Sequence, residues 1–268
     1  MLKNFSFQRL YLLFRKQWLE NSRFYGLASL ALLGVMAIVF VVFWIMMGGP
    51  HYHEGQTMVI YFVGLYLLGS LYASTAFQAL DEKEKGQYLL SLPATHAEKL
   101  VTVIVFTTVF FFLVYTACFL LVKWLAVAYV HYRMQHESFV HFQALAWDKN
   151  DRQIFSYLLI GFFSLQSLFL LGSVYFRKYA YVKTILAAIC FSGIYIFLVV
   201  KSIQFFVPAG YHFEGYRVVQ SQVPEGEGYY RAYGFGKDFL YSLVFIAKWL
   251  WIPVFWTAAW FRLKEKEI

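Results

Sequence analysis

The sequence predicts an all-α polytopic membrane protein that forms one transmembrane domain over residues 1–268. Hydrophobic residues make up 60% of the chain, charged residues only 14%, and the mean hydropathy is +0.56. Soluble domains usually carry about 25% charged residues. Six segments are apolar over the roughly 20 residues that a bilayer span needs, and none of them contains Asp or Glu. No polar stretch is long enough to build a separate soluble domain.

The six predicted spans are 26–47, 57–78, 100–123, 154–176, 184–206 and 239–261. Backbone polar groups must be satisfied inside lipid, so we expect these segments to be helices. The alternating segments of about ten residues that mark a transmembrane barrel are absent. The first apolar run is too long, and begins too far into the chain, for a cleavable signal peptide.

The distribution of Lys and Arg predicts the orientation. Segments 1–25, 79–99, 177–183 and 262–268 hold 14 Lys and Arg in 60 residues, whereas the segments on the opposite side hold 6 in 76. Under the positive-inside rule, the first set lies in the cytoplasm. Both termini are then cytoplasmic in a multi-pass protein of the inner (plasma) membrane. Because these charges are spread over four short segments, we do not expect nucleic-acid binding.

Residues 1–25 are predicted to form an amphipathic helix at the membrane interface. Aromatic and aliphatic side chains recur at helical spacing, and most of the basic residues fall elsewhere around the helix. The apolar set is Phe7, Leu10, Tyr11, Phe14, Trp18 and Leu19. The alternative is a basic start that only aids insertion.

No metal site or disulfide is predicted. Cys118 and Cys190 each lie inside a span and form no CxxC pair, which favours buried thiols. His51 and His53 sit in a short exposed connector. Three more histidines follow the third span at intervals of five residues, so they do not share a helix face. They are His131, His136 and His141. A haem bound within a helical bundle takes its axial ligands from histidines inside the spans, and every His of this chain lies outside them.

The last span carries one charge in its interior. Lys248 lies near the middle of 239–261, five residues before Pro253, and no span supplies an acidic partner. One interpretation is that Lys248 snorkels to an outer vestibule while Pro253 bends the helix. The other is that Lys248 faces an anionic part of a substrate.

The outer loop 203–238 is rich in Gly and aromatic residues and shows little periodicity. Such long loops are either functional or disordered, and its many Tyr and Phe residues favour packing near the outer interface. The sequence GFGKDF within it matches GxGxxG only in part, because Phe239 stands at the third glycine position, so a nucleotide loop is rejected.

The connector 79–99 is apolar in its middle, where a polar turn is expected. We predict that the second span continues as a helix to Gly86, followed by a short helical turn with exposed apolar side chains that Pro93 ends. Thr95 and Glu98 have the spacing of a capping box for the third helix. The apolar residues are Tyr88, Leu89, Leu90 and Leu92. They either occupy a partner's groove or fold back onto the membrane surface.

The pattern F-x-x-L-D-E-K-E-K-G-x-Y-L-L-S-L-P-A-T-x-x-E-K-L, at 77–100, resembles the cytoplasmic loop between the second and third spans of ABC-transporter permeases of the type-2 exporter class. In that family the loop holds a coupling helix that inserts into the ATP-binding subunit. The layout of the whole chain is also similar. The outer connector after the third span, at about 30 residues, is longer than the family pattern.

The resemblance implies a permease subunit that works with a second permease copy and a separate ATPase chain, since no Walker A motif occurs here. ATP and Mg²⁺ would be bound by that partner, with no cofactor and no catalytic residue on this chain. Glu82 and Glu84 would pair with basic residues of the ATPase, and the apolar turn would be the anchor. The substrate path would follow the dimer interface, lined by spans two and five. Short helices in the outer leaflet would account for 203–238.

Two alternatives stay open. The first is a membrane scaffold or assembly protein without transport, which shares this topology but needs no docking helix. The second is a permease dedicated to copper-site or haem maturation, and the outer histidines are the feature that leaves it open.

Overall fold

The computed structural model describes residues 5–46, 51–78, 88, 91–136, 141–144, 148–176, 178–206, 211–214, 217–220, 232–234, 245 and 249–265. Within these ranges, five helices are long and apolar enough to cross a membrane. They correspond to the first five predicted spans, and the chain is therefore a helical, multi-pass membrane protein. Two small sheets lie in the connections.

The first helix, α1 (Phe7–Met46), is 40 residues long and joins the predicted interface helix and the first span in one uninterrupted element. At 1.5 Å per residue it measures about 60 Å, roughly twice the thickness of a bilayer core. The boundary expected at residue 25 is absent.

The second helix, α2 (Glu54–Ser74), ends earlier than predicted. We expected helix through residue 78 and on to Gly86. Instead the amides of Thr75 and Ala76 bond three residues back, to Tyr72 and Ala73, both at 3.2 Å. The hydroxyls of Ser74 and Thr75 donate to the carbonyls of Leu71 and Tyr72 at 2.7 and 2.8 Å. Such side-chain bonds compete with the helix ladder, so the helix tightens and stops.

The third helix, α3 (His96–His136), is 41 residues long, and its Val105–Phe110 turn is π-helical. The predicted span ended at residue 123, and 124–153 was expected to be a connector. That expectation was wrong for 124–136, which continue the helix. A π-helical turn inside an α-helix often marks a functional position.

The fourth and fifth helices, α4 (Lys149–Tyr175) and α5 (Ala180–Phe206), form the predicted tight hairpin. Asp148 and Asp151 make a capping box at the start of α4. Tyr179 has a φ of 56° in the turn, a left-handed conformation that a bulky residue rarely adopts. Gly172 of α4 allows close approach of Thr184 on α5, because a side chain at residue 172 would overlap the threonine.

The sixth helix, α6 (Trp251–Glu265), covers only the second half of the predicted span 239–261. Most of 239–250, including Lys248, lies outside the described residues. Pro253 falls in the first turn of α6, where its missing amide is tolerated. Residues 245 and 249 are also helical, and the bend expected near Pro253 depends on residues 246–248, which lie outside the described ones. The helix also continues to Glu265 through residues predicted to be a tail.

The connections contain two sheets. Strands β1 (His51–His53) and β2 (His141–Gln143) pair in parallel. Strands β3 (Tyr211–Glu214), β4 (Arg217–Gln220) and β5 (Ala232–Gly234) form an antiparallel sheet in the order β3-β4-β5. The short helices expected in 203–238 are thus wrong for these residues. The run YHFEGYRVVQ, with its β-branched and aromatic residues around a Gly, was the available strand signal.

Two apolar clusters hold the helices together. One lies between α1, α2, α3 and α4 and includes Phe40, Tyr61, Leu65, Tyr115 and Phe162. The other joins the end of α2 to the start of α3 and to the ends of α4 and α6, through Phe77, Leu100, Leu170, Val174 and Leu263. Helix α5 packs mainly against α4 and leaves most of its surface exposed.

Candidate functional site

The predicted contact segment is described in part. Tyr88 is helical and 56% exposed, Leu92 is half-buried and Pro93 is exposed. Glu82, Glu84, Gly86, Leu89 and Leu90 lie outside the described residues, as does Lys248.

Tyr88 and Ser91 are helical, and a bend follows at residues 92–94. The Ser91 hydroxyl donates to the Tyr88 carbonyl at 3.0 Å, and the chain bends from Leu92 to Ala94. The predicted break at Pro93 is present, since no helix continues until His96. Tyr88 therefore presents an aromatic ring to the surroundings immediately before a turn.

The capping box at the start of α3 is confirmed. The Thr95 Oγ1 accepts from the Glu98 amide at 3.2 Å, and the Thr95 amide donates to Glu98 Oε2 at 2.8 Å. Each of these two amides would otherwise lack an intrahelical partner. The box fixes where the helix starts relative to the bend.

Glu98 also binds the N-terminal segment, which the sequence analysis missed. The Ser6 amide donates to Glu98 Oε1 at 2.7 Å. The Arg9 guanidinium donates through Nη2 at 3.0 Å and through Nε at 3.3 Å. Glu98 is fully buried, and these donors together with the Thr95 amide compensate its charge. One carboxylate thus joins the start of α1 to the start of α3.

A second contact links α1 to the same segment. Lys16 Nζ lies 4.2 Å from the centroid of the Tyr88 ring, which is a cation–π geometry. Lys16 also lies 3.9 Å from Glu20 on its own helix. The first three turns of α1 therefore contact the segment 88–98 at its first residue, Tyr88, and at its last, Glu98. We call this assembly the α1 junction, defined by Ser6, Arg9, Lys16, Tyr88, Thr95 and Glu98.

The apolar face of residues 7–19 divides into two parts. Phe14 and Trp18 pack on α3, with ring centroids 5.9 and 5.6 Å from those of Phe106 and Phe110. Phe7, Tyr11 and Leu19 stay exposed, with Phe7 at 80%. The packed part lies against the π-helical turn, so the α1 junction and this turn form one continuous contact.

One threonine before the π-helical turn and one within it donate their hydroxyls back to the backbone. Thr102 donates to the Glu98 carbonyl at 2.9 Å and Thr107 donates to the Val103 carbonyl at 2.7 Å. Bonds of this kind bend helices and loosen their ladders. The turn begins two helical turns after Glu98.

An ion pair marks the opposite end of the bundle. Lys123 of α3 donates to Glu54, the first residue of α2, at 2.5 Å. The pair brings the end of the predicted third span level with the start of the second. This agrees with both groups lying on one side of the membrane.

The histidines of the connectors that were predicted to lie outside meet only in part. The backbone register pairs His51 with His141, while the Tyr52 and Phe142 rings stack at 5.6 Å. Burial raises the pKa of Tyr52 to about 12. The His131 ring lies 5.0 Å from that of Phe142. Among the side chains that the structure describes, no three His, Cys, Asp or Glu form a metal-binding group.

A lateral groove of about 670 Å³ runs between α4, α5 and α6. Its walls are apolar, and it opens on the surface of the bundle where α5 is exposed. Its position was not predicted, because it depends on how far α5 and α6 stand apart.

No family model matches the chain, and no curated protein or solved structure does either.

Proposed function

We propose that the chain is the permease subunit of an ATP-driven ABC exporter, which couples ATP hydrolysis on a separate ATPase chain to movement of a substrate across the inner membrane. The observation that supports this most directly is the α1 junction. The exposed Tyr88 contacts Lys16 of α1, and ten residues later the buried Glu98 bonds to Ser6 and Arg9. This arrangement suits a segment on which a partner pushes.

The mechanism follows from these contacts. The ATPase would bind the turn around Tyr88, and its closure would displace the segment 88–98. Glu98 would carry that displacement to both α1 and α3, because it is bonded to each. The π-helical turn next to the junction would absorb the change. For ATP to drive transport, the ATPase must bind the two states of the permease with different free energies.

The proposal includes a topology. Six spans with both termini in the cytoplasm place the α1 junction and the α4–α5 turn on the same side, which the Lys and Arg distribution supports. A second permease copy and Mg²⁺–ATP on the ATPase complete the complex. The substrate path would lie between the two copies, along spans two and five.

A pull-down of the detergent-solubilised chain tests the partner. Tyr88→Asp and the double change Leu89→Asp, Leu90→Asp put charge on the proposed anchor. The matched control is Tyr179→Asp, which changes a tyrosine that is more exposed, at 79% against 56%, in another predicted cytoplasmic connector. We expect an ATPase with a Walker A motif to co-purify with the wild type and the control. Its recovery falls about tenfold or more with the anchor variants, since apolar anchors carry most interface energy.

Two outcomes oppose the proposal. If the folded wild type brings down no ATPase, the exporter assignment fails and a membrane scaffold takes its place. If the ATPase binds equally to the wild type, the anchor variants and the control, residues 88–92 are a membrane-surface contact and the coupling role fails.

A further inference from the structure

The lateral groove has the length of one membrane leaflet. It runs along α5 from Thr184 to Ile196, which is about 18 Å at 1.5 Å per residue. Half of a bilayer core is about 15 Å. Leu168 and Leu171 of α4 lie along it, and its volume falls in the range of ligand sites. The dimensions fit an acyl chain that lies parallel to the helices.

The two ends of the groove differ. At one end, Trp251 of α6 meets the rings of Phe191 and Tyr195 of α5, with centroids 6.2 and 6.5 Å apart and the planes nearly perpendicular. These contacts bring α5 and α6 together at that end. At the other end, α4 finishes at Tyr175 and α5 begins at Ala180.

A cation stands at this second end. The Arg262 guanidinium carbon lies 5.0 Å from the centroid of the Tyr175 ring, which itself lines the groove. Arg262 Nη1 donates to the exposed Glu265 at 2.6 Å. Its Nε is buried and makes no hydrogen bond with any described group. A buried donor without an acceptor is costly, and an anion placed beside this edge of the guanidinium would supply the missing acceptor.

The turn between α4 and α5 adds positive charge at the same end, through the exposed Lys178 and Lys183. Phosphate oxygens are acceptors that match an arginine edge. Basic pockets between transmembrane helices bind anionic headgroups in this way.

We propose that the lateral groove binds one anionic phospholipid, with an acyl chain between α4, α5 and α6 and the phosphate at Arg262. The site is independent of the transport function, since the chain alone contains all of it. The lipid would fill the gap that α5 leaves and hold this exposed helix on the bundle.

Native mass spectrometry of the full chain tests the headgroup site. The purified protein is titrated with phosphatidylglycerol and, in parallel, with phosphatidylethanolamine of the same acyl chains. Arg262→Gln is compared with Lys264→Gln, which removes the same charge from an exposed position in the same turn. We expect Arg262→Gln to weaken phosphatidylglycerol binding about fivefold or more, and Lys264→Gln to change it less than twofold. Arg262→Lys keeps the charge but loses the Nε donor, and we expect it to weaken phosphatidylglycerol binding to an intermediate degree. This variant keeps the test valid if Arg262→Gln fails to fold.

A second pair of variants tests the acyl-chain site. Ala188→Trp fills the groove, whereas Ala37→Trp adds the same ring to the exposed surface of α1. Loss of the bound lipid in Ala188→Trp alone supports the proposal. Equal binding by Arg262→Gln and Lys264→Gln, or equal affinity for both lipids, overturns it. If Ala188→Trp splits a dimer and leaves lipid binding unchanged, a second copy occupies the groove and the proposal is also overturned.

Discussion

Two buried polar side chains in the helical bundle, Glu98 and Gln166, are satisfied to opposite degrees. Glu98 is 0% exposed and accepts hydrogen bonds from Ser6, Arg9 and Thr95. Gln166 is 1% exposed, and neither its Nε2 nor its Oε1 has a hydrogen-bond partner among the described residues. The charged group is fully compensated, whereas the neutral group is not.

The difference follows from where each residue lies on its helix. Glu98 is in the first turn of α3, where backbone amides have no intrahelical acceptor and can donate to a carboxylate. Gln166 is in the middle of α4, where the ladder uses every backbone group. It lies against Gly69 of α2 and close to Phe162, which offer it no side-chain acceptor. A mid-helix amide is thus satisfied only if a neighbouring helix supplies a polar side chain.

The largest expected effect comes from removing the compensation of Glu98. Arg9→Ala leaves a buried carboxylate with only backbone donors of this set, and we expect the free energy of unfolding to fall by about 3 kcal/mol. Arg15→Ala removes the same charge from an exposed position of α1 and should cost less than about 0.5 kcal/mol. Unfolding in mixed micelles, followed by tryptophan fluorescence, measures both. If both variants lower the free energy of unfolding equally, Arg9 contributes only as a surface charge.

The next effect concerns the close packing at Gly69. A Cβ there would lie 2.6 Å from Gln166 Nε2 and 2.7 Å from a Phe162 ring carbon. Gly69→Val should lower the free energy of unfolding by about 2 kcal/mol, because the helices must move apart. Gly34→Val is the control, since nothing lies within 4 Å of a Cβ at Gly34. If Gly69→Val is as stable as this control, α2 and α4 are not packed as closely as the structure has them.

The same contrast separates what the sequence predicts from what it does not. The Thr95–Glu98 capping box was predicted because both partners lie within four residues and their types are specific. The bond from Arg9 to the same carboxylate joins residues 89 positions apart, and no local pattern encodes that separation. The first five spans were predicted from composition alone, since lipid demands apolar length. The early end of α2 was missed, although Ser74 and Thr75 carried the signal.

The smallest effect addresses Gln166 itself. An unsatisfied buried amide costs the desolvation of its polar atoms, so an unbranched apolar side chain of similar length should be better tolerated. Gln166→Met is therefore expected to raise the free energy of unfolding by about 1 kcal/mol. Gln153→Met makes the same change on the same helix where the amide donates to the Tyr157 hydroxyl at 2.6 Å, and should give no gain. If Gln166→Met instead lowers the free energy of unfolding as much as Gly69→Val does, the Gln166 amide has a polar partner in the membrane. Its hydrogen bonds would then be as complete as those of Glu98. If the free energy of unfolding rises only in the Gln166 variant, packing alone holds α2 and α4 close together, although the Gln166 amide lacks hydrogen bonds.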